Sequence, residues 1–135
     1  MDNKKRYKVL LVEDEPGFQK ALRQALEQKA GYEVIQAFDG EAGIKLAQES
    51  KPDIILLDLI LPKKNGFEVL RFLREKPELA AIPVVVLTNL ESGNDIERAI
   101  SMGAKAYLIK ADYGLDEITR RISKLVGDYI VDEVE

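Results

Sequence analysis

The chain has 135 residues, a formal net charge of -4, 46% hydrophobic and 33% charged residues, which describes one globular domain with a sizeable core, not a disordered chain. The mildly acidic balance argues against nucleic acid as the main partner, because phosphate binding needs clustered Lys and Arg. The absence of cysteine and histidine excludes disulfides, thiolate catalysis, Ser-His-Asp triads, most zinc sites and any phosphohistidine relay within the chain.

Residues 1–6, with Lys4-Lys5-Arg6, are expected to form a flexible solvated end. Lys8–Val12 is an apolar run and predicts a first buried strand; Glu13-Asp14-Glu15 follows, then Pro16, which suits the first turn of a helix. Phe18, Ala21, Leu22, Ala25 and Leu26 give that helix one apolar face, and Gly31 ends it. Tyr32–Ala37 predicts a second, less apolar strand, and Asp39-Gly40 a turn. A helix over Glu41–Ser50 turns Ile44 and Ala47 inwards and stops at Lys51-Pro52. Asp53–Asp58 predicts a third strand, buried on both faces and ending in an acid. A helix over Gly66–Glu75 rests on Phe67, Leu70 and Leu73 and is closed by Pro77. Ile82–Leu87 predicts a fourth strand, with Thr88-Asn89 just past its end. Ser92–Asn94 caps a fourth helix with Ile96, Ala99 and Ile100 on one stripe, ended by Gly103. Ala106–Ile109 predicts a short fifth strand before Lys110, and a last helix over about Gly114–Val126 buries Leu115, Ile118, Ile122 and Leu125. Residues 128–135 read as an acidic C-terminal tail.

Five strands alternating with five helices predict an α/β domain over residues 7–127, with a parallel sheet, right-handed crossovers and helices on both faces. Five units are too few for an eight-stranded barrel, so an open doubly wound sheet is expected. No run of about 18 apolar residues and no apolar signal segment occurs, so a cytoplasmic setting with no membrane partner is expected.

In such a sheet the carboxyl ends of the strands share one edge, where ligands bind. Glu13 and Asp14, Thr88 and Lys110 follow strands, Asp58 ends one, and all are expected to converge there. Singly, each has an ordinary reading: acids at a helix N-terminus, a turn-capping Asp, a strand-end Thr, a solvated Lys. Asp39 reads as a turn residue only. Together they make a site in which three carboxylates repel unless a cation intervenes, either Lys110, a metal or both. The candidate ligands are all oxygens, which favours a hard divalent ion such as Mg²⁺. Carboxylates serve as nucleophiles in forming aspartyl phosphates, and phosphoryl transfer then needs mainly positioning and charge neutralisation.

The acidic pair Glu13-Asp14, Asp58 with Pro62 and Gly66 after it, Thr88, Tyr107 and Lys110, in this order, resemble the receiver domain of bacterial two-component response regulators over Tyr7–Val126. The resemblance implies a flavodoxin-like (βα)5 fold with strand order 2-1-3-4-5. It implies Asp58 as the phosphorylation site, and Mg²⁺ held by Asp14, Asp58 and the backbone carbonyl of Ile60, with Glu13 acting through water. Lys110 would pair with Asp58 and then with the phosphoryl group, Thr88 would move towards it, and Tyr107 would rotate inwards. The face that changes would be the fourth helix, fifth strand and fifth helix.

The function expected is a stand-alone receiver, a signalling phosphoacceptor and not a dedicated enzyme. It would take its phosphoryl group in trans from a histidine kinase or phosphotransfer protein and act on a downstream protein target, with homodimerisation possible. The alternative is a phosphorylation-independent binding module. A phosphohydrolase would need a second acid two residues after the nucleophile, where Ile60 stands. A flavin site would need a phosphate loop that is not acidic. Three departures from the family stand out: Ala111 where proline usually follows the lysine, Asn89 where a very small residue is preferred, and apolar Ile60 and Leu90 at the positions that flank the hydrolytic water.

Overall fold

The computed structural model describes residues 6–129. Residues 1–5 and 130–135, which hold most of the expected N-terminal end and acidic tail, lie outside the described residues. In chain order the elements are β1 (Lys8–Val12), α1 (Pro16–Ala30), β2 (Glu33–Ala37), α2 (Gly40–Ser50), β3 (Ile54–Leu57), α3 (Gly66–Glu75), α4 (Pro77–Ala80), β4 (Val84–Thr88), α5 (Gly93–Ser101), β5 (Ala106–Ile109), a 3₁₀ turn (Lys110–Asp112) and α6 (Leu115–Tyr129). All strand pairs are parallel, in the order β2-β1-β3-β4-β5. The order reverses between β1 and β3, so a crevice opens beyond the carboxyl ends of those two strands.

Strand side chains alternate between faces, and each face carries its own core. Leu10, Val12, Ile55, Leu57, Val84 and Val86 pack with Ala47 of α2, Phe67, Leu70 and Leu73 of α3, and Ala99 of α5. Val9, Leu11, Ile54, Leu56, Val85 and Leu87 pack on the other face with Leu22 and Leu26 of α1 and Ile118, Ile122 and Val126 of α6. Both faces are covered, which is why β3 and β4 read as unbroken apolar runs.

Several expectations are refined. Among the described residues six α-helices form instead of five, because Pro77, which ends α3, also opens a one-turn helix at its first position, where its missing N–H costs nothing. The expected fourth and fifth helices are therefore α5 and α6. On α5 only Ala99 is buried; Ile100 is 45% exposed and Ile96 half-buried, so that stripe faces inward less than its spacing predicts. Leu115 and Leu125 are likewise only partly buried. Asp39 is more than a turn residue, since its side chain accepts from Ala42 N and caps α2. Arg6, assigned to the flexible end, donates to the carbonyls of Gly31 and Tyr32.

Two glycines are required by close approach. A Cβ on Gly66 would sit 2.4 Å from the Asp58 carbonyl oxygen, and one on Gly40 would sit 1.9 Å from that of Lys64. Gly66 N also donates to Leu59 O, and Gly40 N to Pro62 O, so these two backbone contacts hold the loop after β3 in place.

Candidate functional site

Strand ends place the site residues. Glu13 and Asp14 follow β1, Asp58 follows β3, Thr88 is the last residue of β4 rather than just past it, and Lys110 opens the 3₁₀ turn after β5. The backbone continues to bind across the sheet here: Glu13 N donates to Ala37 O, and Asp58 N to Val12 O. The two acids are thereby fixed at the point where strand order reverses.

The side chains then converge. Asp58 is 5% exposed and both its oxygens are engaged. Its Oδ1 accepts the Thr88 hydroxyl at 2.6 Å and the Ile60 N–H at 3.1 Å; its Oδ2 accepts the Lys110 ammonium at 2.9 Å. The same ammonium donates to Glu13 Oε1 at 2.6 Å. Glu13 is 1% exposed, and its Oε2 accepts the Glu15 N–H. Asp14 is exposed at the mouth, and one carboxylate oxygen from each of Glu13, Asp14 and Asp58 lies within 4.8 Å of the others. Ile60 is 54% exposed beside this mouth. Tyr107 is partly buried against the core, and its hydroxyl donates to Leu90 O at 2.8 Å, so it fastens the loop after β4.

Charge in the site is unbalanced. Burial pushes the Glu13 carboxyl up, against the hydrogen bonds from Lys110 and the Glu15 amide. Burial works against a charged Lys110, but its bonds and attraction to Glu13 and Asp58 outweigh this and raise its pKa. Three carboxylates face one ammonium, leaving two negative charges uncompensated. The donor set is all oxygen and one acid faces solvent, which fits a hard divalent cation.

Several contributors carried no clear signal in the sequence. Phe18, expected only as part of an apolar helix face, places its ring 4.8 Å from the Lys110 ammonium. Gln19, in the first turn of α1 and 0% exposed, donates its amide to the carbonyls of Leu11, Glu13 and Ala37 at 3.0–3.1 Å. A polar residue among apolar helix positions was the available hint. The direct Glu13–Lys110 pair spans 97 residues of sequence, and no local pattern announces it.

The family described as response regulator receiver domain matches this chain over residues 9–123. The transcriptional regulatory protein CiaR of Streptococcus pneumoniae is 44% identical over 119 residues, which are 88% of this chain and 51% of CiaR. The gliding motility regulatory protein of Myxococcus xanthus is 39% identical over 121 residues, 90% of this chain and 15% of that protein. The chain thus spans about half, or less, of the length of these curated relatives. The polar-differentiation response regulator DivK of Brucella anthropi is 38% identical over 120 residues, 89% of this chain and 96% of DivK. Among solved structures, the phosphorylated cyanobacterial phytochrome response regulator RcpA superposes with a TM-score of 0.79 at 30% identity, covering 96% of this chain and 98% of that one. The Mn²⁺-bound form of response regulator Rcp1 does so with a TM-score of 0.78 at 30% identity, covering 96% and 99%.

Proposed function

The chain belongs to the response regulator receiver domain family, and from that premise we propose that it accepts a phosphoryl group on Asp58 from a histidine kinase or phosphotransfer protein in trans. The supporting observation is the Asp58 carboxylate itself, buried, with Thr88 on one oxygen and Lys110 on the other, beside Glu13 and Asp14.

In the proposed step an oxygen of Asp58 attacks phosphorus as the P–N bond to the donor imidazole breaks. The leaving nitrogen keeps the electron pair and takes up a proton from solvent. Lys110 and the Thr88 hydroxyl, already on the two carboxylate oxygens, are placed to hold the phosphoryl oxygens. Asp14, Asp58 and the Ile60 backbone carbonyl would hold Mg²⁺, with Glu13 acting through water; when bound, the ion supplies positive charge against the phosphoryl oxygens. Mn²⁺ in Rcp1 and the phosphorylated form of RcpA agree with this reading.

The changed charge would be read on the face formed by α5, β5 and α6, with Thr88 and Tyr107 linking it to the pocket, and the output would be binding to a downstream protein. We extend the proposal to a receiver that acts as a polypeptide of its own, for which DivK, matched over 96% of its length, is the precedent.

The test is incubation with Mg²⁺ and a small acyl phosphate, followed by mass spectrometry. Wild type should gain one phosphoryl group and Asp58→Asn none. No gain in wild type would favour a phosphorylation-independent binding module. Loss of the phosphoryl group should be slow, because apolar Ile60 and Leu90 cannot orient water. Ile60→Gln should shorten its half-life several-fold, and an unchanged half-life would refute that explanation.

A further inference from the structure

The segments after Thr88 and before α6 are tied together beyond the end of the sheet. The last rung of the β4–β5 ladder pairs Thr88 with Ile109. One residue further along β4, and two further along β5, Asn89 Oδ1 accepts the backbone N–H of Ala111 at 3.0 Å. A side chain thus supplies one more rung where the backbone ladder has stopped. The bond brackets the two groups that hold Asp58: Asn89 adjoins the Thr88 hydroxyl residue, and Ala111 adjoins Lys110. Ala111 has an N–H to offer, which a proline at this position would lack. The 3₁₀ turn is also closed by the Tyr113 N–H donating to Lys110 O.

We propose that Asn89 is a positioning residue for phosphoryl uptake. Through the Ala111 amide it fixes where Lys110 leaves β5, and so sets the reach of the ammonium to Asp58 and Glu13. The assignment rests on the reading of Asp58 as phosphoacceptor. It makes Asn89 and Ala111 one unit, in which an acceptor at 89 and a donor at 111 together shape the turn. It also opposes the simpler account in which Asn89 matters only by its bulk at the mouth of the site.

Beryllofluoride affinity in saturating Mg²⁺ separates the two accounts, measured for wild type, Asn89→Ala and Asn89→Leu together with hydrogen exchange of the Ala111 amide. Leucine keeps the bulk and removes the acceptor. Both variants should bind about 3- to 10-fold more weakly, the size of one hydrogen bond. Both should speed exchange of the Ala111 amide. In an Ala111→Pro background, where there is no N–H to lose, Asn89→Leu should alter affinity by less than about 2-fold, since coupled residues cease to couple once one partner is gone. Tighter binding in Asn89→Ala with Asn89→Leu unchanged would overturn the proposal in favour of bulk. Unaltered affinity in both variants, against a wild type that binds, would overturn it alone. A wild type that binds no beryllofluoride would instead overturn the phosphoacceptor reading and this assignment with it.

Discussion

Tyr107 shows how one side chain reports on the site without touching Asp58. Its hydroxyl is committed to Leu90 O, and burial, then the charges of Asp95 and Asp58, push its phenol up to about 12 from 10.0. A folded-state pKa above the unfolded one stabilises the fold fully below the unfolded value. That contribution is lost as pH rises, here between about 10 and about 12. Lys110, also raised, adds to the same alkaline loss. An ultraviolet titration should therefore contain a late component that Tyr107→Phe removes. Wild type should also lose thermal stability across this window more steeply than Tyr107→Phe. If Tyr107→Phe instead removes a component that titrates near the ordinary value of 10.0, the Tyr107 phenol is not held up by its burial and the neighbouring charges. At this scale the sequence named the right residue types, because an acid, a hydroxyl and an ammonium at strand ends are visible as such. It did not show that the Thr88 hydroxyl already lies on Asp58 or that Glu13 shares the ammonium, because both facts depend on rotamers set by distant neighbours.

Elements differ in how firmly they are held. Helix α6 buries Ile118, Ile122 and Val126 against one core, and α1 buries Leu22, Ala25 and Leu26. Helix α5 buries Ala99 alone and adds the Arg98 guanidinium over the Phe67 ring at 4.0 Å. A helix with so little apolar surface committed can shift at low cost, which is what the proposed switch through Thr88 would need. The opposite case is α1, where Gln19 draws the carbonyls of Leu11, Glu13 and Ala37 onto one amide. Gln19→Leu keeps the helix and removes the donors. It should cost about 1–3 kcal/mol of stability by urea unfolding, because buried carbonyls lose a partner. It should also weaken Mg²⁺ binding, because the Glu13-Asp14 backbone is no longer held. Full Mg²⁺ affinity with reduced stability would mean that Gln19 serves the fold alone. The spacing of apolar residues made the helices legible, but the depth of each stripe was not. Ile100 repeats at helical spacing yet stays 45% exposed, because β5, a short edge strand, leaves α5 little surface to cover.

Across the whole molecule the sheet gathers three acids and one cation from segments as far apart as Glu13 and Lys110, and leaves the site short of positive charge. A bound divalent ion should therefore stabilise the fold. At free Mg²⁺ about 100-fold above its dissociation constant the gain is about 2.7 kcal/mol, enough to raise the thermal midpoint by several degrees. Asp14→Asn should lose most of that rise, and a midpoint that ignores Mg²⁺ in wild type would refute the metal assignment. The alternation of apolar runs with 3.6-periodic segments, and the acids, hydroxyl and lysine at the run ends, determined the layered parallel fold and the composition of the site, since periodicity and residue chemistry are local properties. Tertiary structure alone decided that Glu13 and Asp58 share Lys110, that Gln19 pins two strand ends, that Gly40 and Gly66 brace the loop after β3, and that Asn89 binds the Ala111 amide. The Glu13–Lys110, Gln19–Ala37, Gly40–Pro62 and Asn89–Ala111 contacts join residues brought together by crossover connections, and such pairings follow from how the strands are ordered in the sheet rather than from any pattern along the chain.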